Sequence, residues 1–92
     1  ARFIGLQGES DCALTDALIA ELKAMNASLN IPTCIKDYEG GIIDEKEFND
    51  KLADVAALAI SDACTGSNPR IPTQEEMEKL LKACYYDLEI DF

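Results

Sequence analysis

The chain has 92 residues, 48% of them hydrophobic, and its 18 acidic and 8 basic residues give a formal net charge of −10. This length allows one small domain at most, and the hydrophobic content is sufficient for a folded core. The negative charge repels phosphate groups, so we expect neither nucleic acid nor a membrane surface as a partner. The longest apolar run, 55–60, is much shorter than the ~20 residues that a membrane-spanning helix needs.

Four cysteines and no histidine are present. The four positions are Cys12, Cys34, Cys64 and Cys84, and an even number of cysteines permits two disulfides. Without histidine or a Cys-x-x-Cys pair, the spacing does not favour a zinc site, and imidazole catalysis is excluded within these residues. We therefore expect reduced thiols in a cytoplasmic protein, most of them packed as small hydrophobic residues.

The first helical pattern follows a short N-terminal segment. Residues 1–6 are typical of the last turn of a helix that ends near Gly5. Ser10 or Asp11 is suited to cap the next helix, and Pro32 ends it. The buried face of this helix is predicted from a stripe with helical spacing, Leu14, Leu18, Leu22, Met25 and Leu29.

Two further helices are predicted from their capping residues. Asp44 and Glu47 begin the second helix, and Thr73 and Glu76 form the capping box of the third. The predicted buried face of the second helix consists of Phe48, Leu52, Val55, Ala59 and Ile60. The predicted buried face of the third consists of Met77, Leu80, Leu81, Cys84 and Leu88. The sequence therefore predicts an all-α fold with three main helices and a truncated N-terminal one.

The loop 36–48 partly matches a calcium-binding EF-hand loop. Gly41 and Glu47 stand where that loop requires a glycine and a bidentate glutamate. Lys36 stands where the first carboxylate ligand must be, which argues against calcium binding. A flexible loop before a capped helix accounts for the same residues. An acidic helical binding module, with or without a response to calcium, stays the alternative hypothesis for function.

Segment 62–70 is typical of a helix end followed by a tight turn. Its sequence is Asp-Ala-Cys-Thr-Gly-Ser-Asn-Pro-Arg. Gly66 permits a positive φ, and Pro69 fixes the exit of the turn. Arg70 is suited to bind a carboxylate or the free carbonyls of a helix end. From these residue types alone, the segment is a structural turn between two helices.

The same turn carries a family resemblance. Residues 63–70 are followed by Ile-Pro at 71–72 and by a helix that ends Ala-Cys-Tyr-Tyr at 83–86. This combination resembles the C-terminal signature of the iron-containing (group III) alcohol dehydrogenases. That family includes lactaldehyde reductases and the alcohol dehydrogenase half of bifunctional aldehyde-alcohol dehydrogenases. Weaker similarities occur in the family's order at 1–6, 29–36 and 43–48, so the resemblance spans nearly the whole chain.

The resemblance implies a fold and a place in a larger enzyme. Residues 1–92 are expected to be a fragment of the C-terminal helical domain, the α-domain of a dehydroquinate synthase-like fold. The parent enzyme transfers a hydride between NAD(P) and a primary alcohol or aldehyde, with iron(II) as Lewis acid. The iron ligands, one Asp and three His, and the nucleotide contacts lie upstream in this family.

The resemblance also implies what this chain contributes by itself. Cys64 is expected to line the substrate cavity, while no catalytic, metal-binding or cofactor-binding residue is expected within these 92 residues. The fragment is expected to be inactive alone and to bind neither iron nor NAD(P). Its expected partners are the N-terminal nucleotide-binding domain and a small alcohol or aldehyde. Self-association is also expected, through apolar faces that lack their usual cover.

Overall fold

The computed structural model describes residues 1–38 and 43–92, and the regular structure in those residues is entirely helical. The three α-helices are α1 (Asp11–Ser28), α2 (Glu45–Ser61) and α3 (Gln74–Tyr86), with short 3₁₀ helices at Arg2–Ile4, Ile35–Asp37 and Thr65–Ser67. The predicted all-α fold class is confirmed. The chain divides into two compact units, Ala1–Thr33 and Cys34–Phe92. No helix of the described part combines the length and the apolar character needed to cross a membrane.

The first unit consists of the N-terminal 3₁₀ helix and α1. The 3₁₀ helix ends at Gly5, whose φ of 86° lies in the left-handed region that favours glycine. Ser10 caps α1, because its Oγ accepts a hydrogen bond from the Ala13 N–H at 3.1 Å. Both helix ends therefore lie where the sequence predicted them.

The apolar stripe of α1 is only partly covered within the first unit. Leu14 is buried, at 6% exposure, and Leu18 is half-buried. The other three predicted core residues are largely exposed, at 47% for Leu22, 49% for Met25 and 61% for Leu29. Their prediction as buried residues is wrong for this chain, because a unit of this size has too little structure to cover an 18-residue helix.

The second unit is built on the packing of α2 against α3. Its buried residues are Leu52, Ala56, Ala83 and Tyr85. The rings of Phe48 and Tyr85 are stacked with centroids 4.1 Å apart. The Tyr85 hydroxyl donates a hydrogen bond to the Ile43 carbonyl at 3.1 Å, which satisfies the one polar atom of this buried side chain.

The buried faces of α2 and α3 differ from the predicted stripes. Val55 is 45% exposed, and Cys84 and Leu88 are exposed, so their prediction as core residues is wrong. Ala83 and Tyr85 are buried instead. The stacking of Tyr85 on the α2 residue Phe48 is one of the contacts that decide which side of α3 faces inward, and helical spacing alone does not reveal that contact.

The four thiols are free, and three of them are exposed. Cys34 is half-buried, whereas Cys12, Cys64 and Cys84 lie at the surface. The expected packing of most cysteines as small hydrophobic residues is therefore wrong. Free thiols on a surface are open to reagents, which makes them useful probes of what covers each position.

The start of α3 has the predicted capping box. The Thr73 Oγ1 accepts from the Glu76 N–H at 3.2 Å, and the Glu76 Oε2 accepts from the Thr73 N–H at 2.9 Å. Asp44 caps α2 in a simpler way, with its Oδ1 accepting from the Glu47 N–H at 2.8 Å. Both helix starts are therefore fixed by bonds between residues three apart in the sequence.

Replacing Thr73 by alanine is expected to lower the free energy of unfolding by about 1 kcal/mol, because the Glu76 N–H loses its partner. Chemical denaturation followed by circular dichroism measures this change. Thr15→Ala is the control, since the Thr15 hydroxyl donates to the Asp11 carbonyl inside α1 and caps no helix end. An equal loss in both variants would contradict a specific role for the cap.

Candidate functional site

The candidate site is the turn of residues 62–70 between α2 and α3. Its first half is held by bonds from short side chains to the backbone. The Asp62 Oδ1 accepts from the Cys64 N–H at 2.8 Å, and the Ser67 Oγ donates to the Cys64 carbonyl at 2.8 Å. The Thr65 Oγ1 donates to the carbonyl of Ala59 at 2.6 Å, which ties the turn back to α2. These bonds fix the backbone on both sides of residue 64.

The second half of the turn is held by Asn68 and Arg70. The Asn68 Nδ2 donates to the Arg70 carbonyl at 2.5 Å. The Arg70 guanidinium lies 2.5 Å from the Glu76 Oε1 and 5.2 Å from the centre of the Phe92 ring. The prediction that Arg70 binds a carboxylate is confirmed. Its partner belongs to the capping box, so the turn and the first turn of α3 are joined into one bonded frame.

Gly66 does not use its conformational freedom here. It lies in the 3₁₀ helix Thr65–Ser67 and is not among the residues with a positive φ. The sequence indicated only that a positive φ is permitted at this position, and the turn forms without one. A Cβ added at Gly66 meets nothing within 4 Å, so the surface beside Cys64 is open.

Cys64 takes part in this frame through its backbone, and its side chain is exposed. The thiol is thus carried on the surface of a well-bonded turn and is free to face another group. Its predicted role as a residue that lines a substrate cavity stays a prediction. The frame itself is a feature that the residue types indicated correctly.

The described residues do not fit a metal centre. Across 1–38 and 43–92, no three Cys, Asp or Glu side chains are grouped so that they could hold an ion. The sequence also contains no histidine, so the ligand set that the family resemblance implies for iron, three His and one Asp, is not present in these 92 residues. Any iron site of that type must draw its three histidine ligands from other polypeptide.

The hypothesis of a calcium loop falls partly on residues 39–42, which lie outside the described residues. At its first position, the Lys36 Nζ pairs with the Glu45 Oε2 at 3.5 Å and lies 5.4 Å from the centre of the Tyr86 ring. A lysine engaged in this way occupies the place of the first carboxylate ligand. The calcium hypothesis stays an untested prediction.

A polar cluster around Tyr86 was not predicted from the sequence. The Tyr86 hydroxyl donates to the Glu45 Oε1 at 3.0 Å and accepts from the Asn49 Nδ2 at 3.2 Å. Together with the Lys36–Glu45 pair, these contacts connect the end of α3, the start of α2 and the 3₁₀ helix Ile35–Asp37. The available signal was the Tyr-Tyr pair at the end of α3, since a tyrosine can bury its ring and bond through its hydroxyl.

Glu76 joins the capping box to the candidate site and has a perturbed acidity. The hydrogen bond from the Thr73 N–H and the nearby positive charge of Arg70 lower the pKa of Glu76 below its usual 4.5, despite the opposing effect of burial. A lowered pKa in the folded state means that Glu76 stabilises the fold above pH 4.5. That contribution is lost as the pH falls through the folded-state pKa.

Comparing the wild type with Glu76→Gln between pH 7 and pH 3 tests this linkage. The difference in melting temperature is expected to be largest above pH 4.5 and to shrink at lower pH, because protonated Glu76 and glutamine carry the same charge. Glu75→Gln is the control, since it removes a charge from the same helical turn without touching Thr73 or Arg70. A difference that stays constant down to pH 3 would contradict the lowered pKa.

Comparison with known proteins identifies the family. Residues 1–85 match the C-terminal part of the Fe-containing alcohol dehydrogenase family. The chain is 42% identical over 92 residues to an NADPH-dependent butanol dehydrogenase of Clostridium saccharobutylicum, covering 100% of this chain and 23% of that protein. It is 38% identical over 85 residues to an aldehyde-alcohol dehydrogenase of Clostridium acetobutylicum, covering 92% of this chain and 10% of that protein. No solved structure matches the chain significantly.

The chain belongs to the iron-containing alcohol dehydrogenase family, and the resemblance inferred from the turn at 63–70 is confirmed. The helical fold is consistent with the C-terminal helical domain of that family. A more distant relative is the bifunctional aldehyde-alcohol dehydrogenase AdhE of Escherichia coli K12, 34% identical over 79 residues, with 86% of this chain and 8% of that protein covered. The chain thus spans about a quarter or less of the length of these relatives.

Proposed function

We propose that these 92 residues are the C-terminal helical segment of a longer dehydrogenase. That enzyme transfers a hydride between NAD(P) and a primary alcohol or aldehyde, with iron(II) supplying Lewis acidity. The segment contributes the turn 62–70 to one wall of the substrate cavity, and Cys64 faces the substrate from that wall. The N-terminal nucleotide-binding domain of the same polypeptide is its partner.

The match of residues 1–85 to the C-terminal part of the family is the observation that carries this proposal. Two features of the turn agree with it. The backbone around Cys64 is fixed by side-chain hydrogen bonds, and the Cys64 thiol is exposed. A fixed backbone that carries an exposed side chain at residue 64 is what a cavity wall requires, because substrate fit depends on a stable position of the lining group.

The proposal assigns the iron and nucleotide contacts to polypeptide outside this chain. The absence of histidine from the sequence agrees with that division. The printed names of two relatives, a butanol dehydrogenase that uses NADPH and an aldehyde-alcohol dehydrogenase, support a small primary alcohol or its aldehyde as substrate. Location in the cytoplasm stays a prediction.

Comparing the 92-residue chain with the full-length protein encoded by the complete reading frame tests the proposal. With ferrous iron, NADPH or NADH and butyraldehyde, the full-length protein is expected to consume the reduced nucleotide, while the 92-residue chain shows no turnover. Absorbance at the reduced-nicotinamide band measures both. Turnover by the 92-residue chain alone, or none by the iron-loaded full-length protein with any primary aldehyde, would contradict the proposal.

A further inference from the structure

The chain reverses its direction after α3. Asp87 has a φ of 57°, in the left-handed region, and the Leu88 N–H donates to the Ala83 carbonyl at 3.1 Å. A bond between residues five apart at a helix end is the pattern that closes the helix and turns the chain back. Residues 87–92, here called the return segment, therefore run beside α3. One groove is lined by residues of both, including Lys79, Lys82, Ala83, Leu88, Ile90 and Phe92.

The return segment is best covered at Phe92. The exposed fractions of its three large apolar side chains fall along the chain, from 56% for Leu88 to 47% for Ile90 and 37% for Phe92. A segment held only by its connection to α3 would show the opposite order, because a chain end that is not tied down becomes less ordered with distance from the helix. The contacts of Phe92 therefore anchor the segment.

Those contacts lie at the candidate site. The Arg70 Cζ is 5.2 Å from the centre of the Phe92 ring, and the guanidinium of the same arginine lies 2.5 Å from the Glu76 Oε1. A planar guanidinium can turn its face to a ring while its N–H edge binds a carboxylate, so the two contacts do not compete. Arg70 is thus held from two sides, by the start of α3 and by the return segment.

The ring contact matters because the Arg70–Glu76 pair is only partly protected from water. The side chain of Arg70 is 59% exposed, and that of Glu76 is 21% exposed. An exposed ion pair is weak, since water competes for its charges and the long arginine side chain has several rotamers. A ring against the guanidinium excludes water from one of its faces and restricts those rotamers.

We infer that Phe92 is a positioning residue for the turn 62–70. Its ring keeps the Arg70 guanidinium against Glu76, and the Arg70 carbonyl accepts a hydrogen bond from the Asn68 side chain. The contact therefore fixes the second half of the turn from outside it. An effect of Phe92 on substrate fit rests on the proposed function, in which this turn is a wall of the cavity, whereas its effect on the turn itself does not.

The contact does not follow from membership of the family alone. The residues matched to the family end at 85, and Phe92 lies beyond them. Helical spacing and capping patterns also do not reveal it, because it joins residues 22 positions apart through a chain reversal at Asp87.

Hydrogen–deuterium exchange of the full-length protein, measured by mass spectrometry on peptides that cover 62–70, tests the inference. The N–H groups of Ser67 and Asn68 donate within the turn at 3.2 and 3.1 Å, so their exchange reports its opening. Phe92→Leu keeps an apolar side chain without the ring and is expected to speed exchange there about 2- to 5-fold, the effect of losing one exposed cation–ring contact. Phe92→Tyr keeps the ring and is expected to exchange like the wild type.

Lys79→Gln is the matched control. The Lys79 Nζ is 6.0 Å from the centre of the same ring but pairs with Glu75, outside the turn. Its loss is expected to leave exchange at 62–70 nearly unchanged. Unchanged exchange in Phe92→Leu, an equal increase in Phe92→Tyr, or an equal increase in Lys79→Gln would each overturn the inference.

Steady-state kinetics on the same preparations distinguish this inference from the proposed function. Phe92→Leu is expected to raise KM for butanol about 2- to 5-fold with kcat nearly unchanged, because a looser wall weakens substrate binding without touching the reacting atoms. Faster exchange at 62–70 with an unchanged KM supports the positioning role and contradicts the place of the turn in the cavity wall. Unchanged exchange in an active enzyme overturns the positioning role and leaves the assigned reaction intact.

Discussion

Replacing Leu52 by alanine is expected to lower the free energy of unfolding of the second unit by about 2–5 kcal/mol. Leu52 is 7% exposed on α2, one turn from the fully buried Ala56. Truncation removes its buried methyl groups and leaves a cavity. A small unit has little stability to lose, so we expect most of the cooperative unfolding transition to disappear at room temperature.

Urea unfolding of the 92-residue chain, followed by far-ultraviolet circular dichroism, measures this loss. Leu58→Ala is the matched control, because it makes the same change on the same helix at a side chain that is 69% exposed. Its effect on the free energy of unfolding is expected to stay within about 0.5 kcal/mol. Equal destabilisation by both variants would mean that the α2–α3 core is assigned to the wrong face.

Replacing Cys64 by phenylalanine in the full-length protein is expected to lower kcat/KM for butanol by about 10- to 100-fold, if the turn forms a wall of the substrate cavity as proposed. The phenylalanine ring is larger than the cysteine side chain and reduces the space for the alkyl chain of the substrate. The loss in kcat/KM is therefore expected to grow from ethanol to hexanol. The fold should be retained, because residue 64 contributes its backbone N–H and carbonyl to the turn and both are kept.

Steady-state kinetics with a series of primary alcohols tests this prediction, and the melting temperature checks the fold. Cys84→Phe is the control, since it places the same ring at another exposed cysteine, on α3. It is expected to leave kcat/KM nearly unchanged. If Cys64→Phe has no effect at any alcohol length while the enzyme stays folded and active, Cys64 does not line the cavity.

The helix starts were predictable because their causes are local. Ser10, Asp44 and Thr73 each accept a hydrogen bond from the N–H three residues later, and a short sequence pattern contains both partners. The bonded turn at 62–70 was predictable for the same reason, since its short polar side chains bond to nearby backbone groups.

The buried faces were less predictable because their causes lie far apart in the sequence. Tyr85 is buried through its stacking on Phe48, and it displaces Cys84 from the predicted core position. On α1, the pattern correctly marked an amphipathic helix, but no pattern states how much of the stripe is covered within the unit. Leu22 and Leu29 are therefore exposed in spite of their helical spacing.

The candidate site was only partly accessible to residue-by-residue reasoning. The residue types indicated a turn, and the family resemblance alone singled out Cys64. The Arg70–Glu76 pair was predicted only in part, because an arginine after a turn indicated a carboxylate partner without indicating which one. The cluster of Tyr86, Glu45 and Asn49 was not predicted, since it joins residues about 40 positions apart.

The way in which the turn is held together has a consequence for evolution. Its shape depends on the neighbours of residue 64, while the side chain of residue 64 itself is left to vary. Natural variation at this one codon can therefore enlarge or shrink the neighbouring space without rebuilding the scaffold. If the turn forms a wall of the substrate cavity as proposed, related enzymes can diverge in the size of molecule they accept through a single exchange, provided that the aspartate, threonine and serine around it are kept.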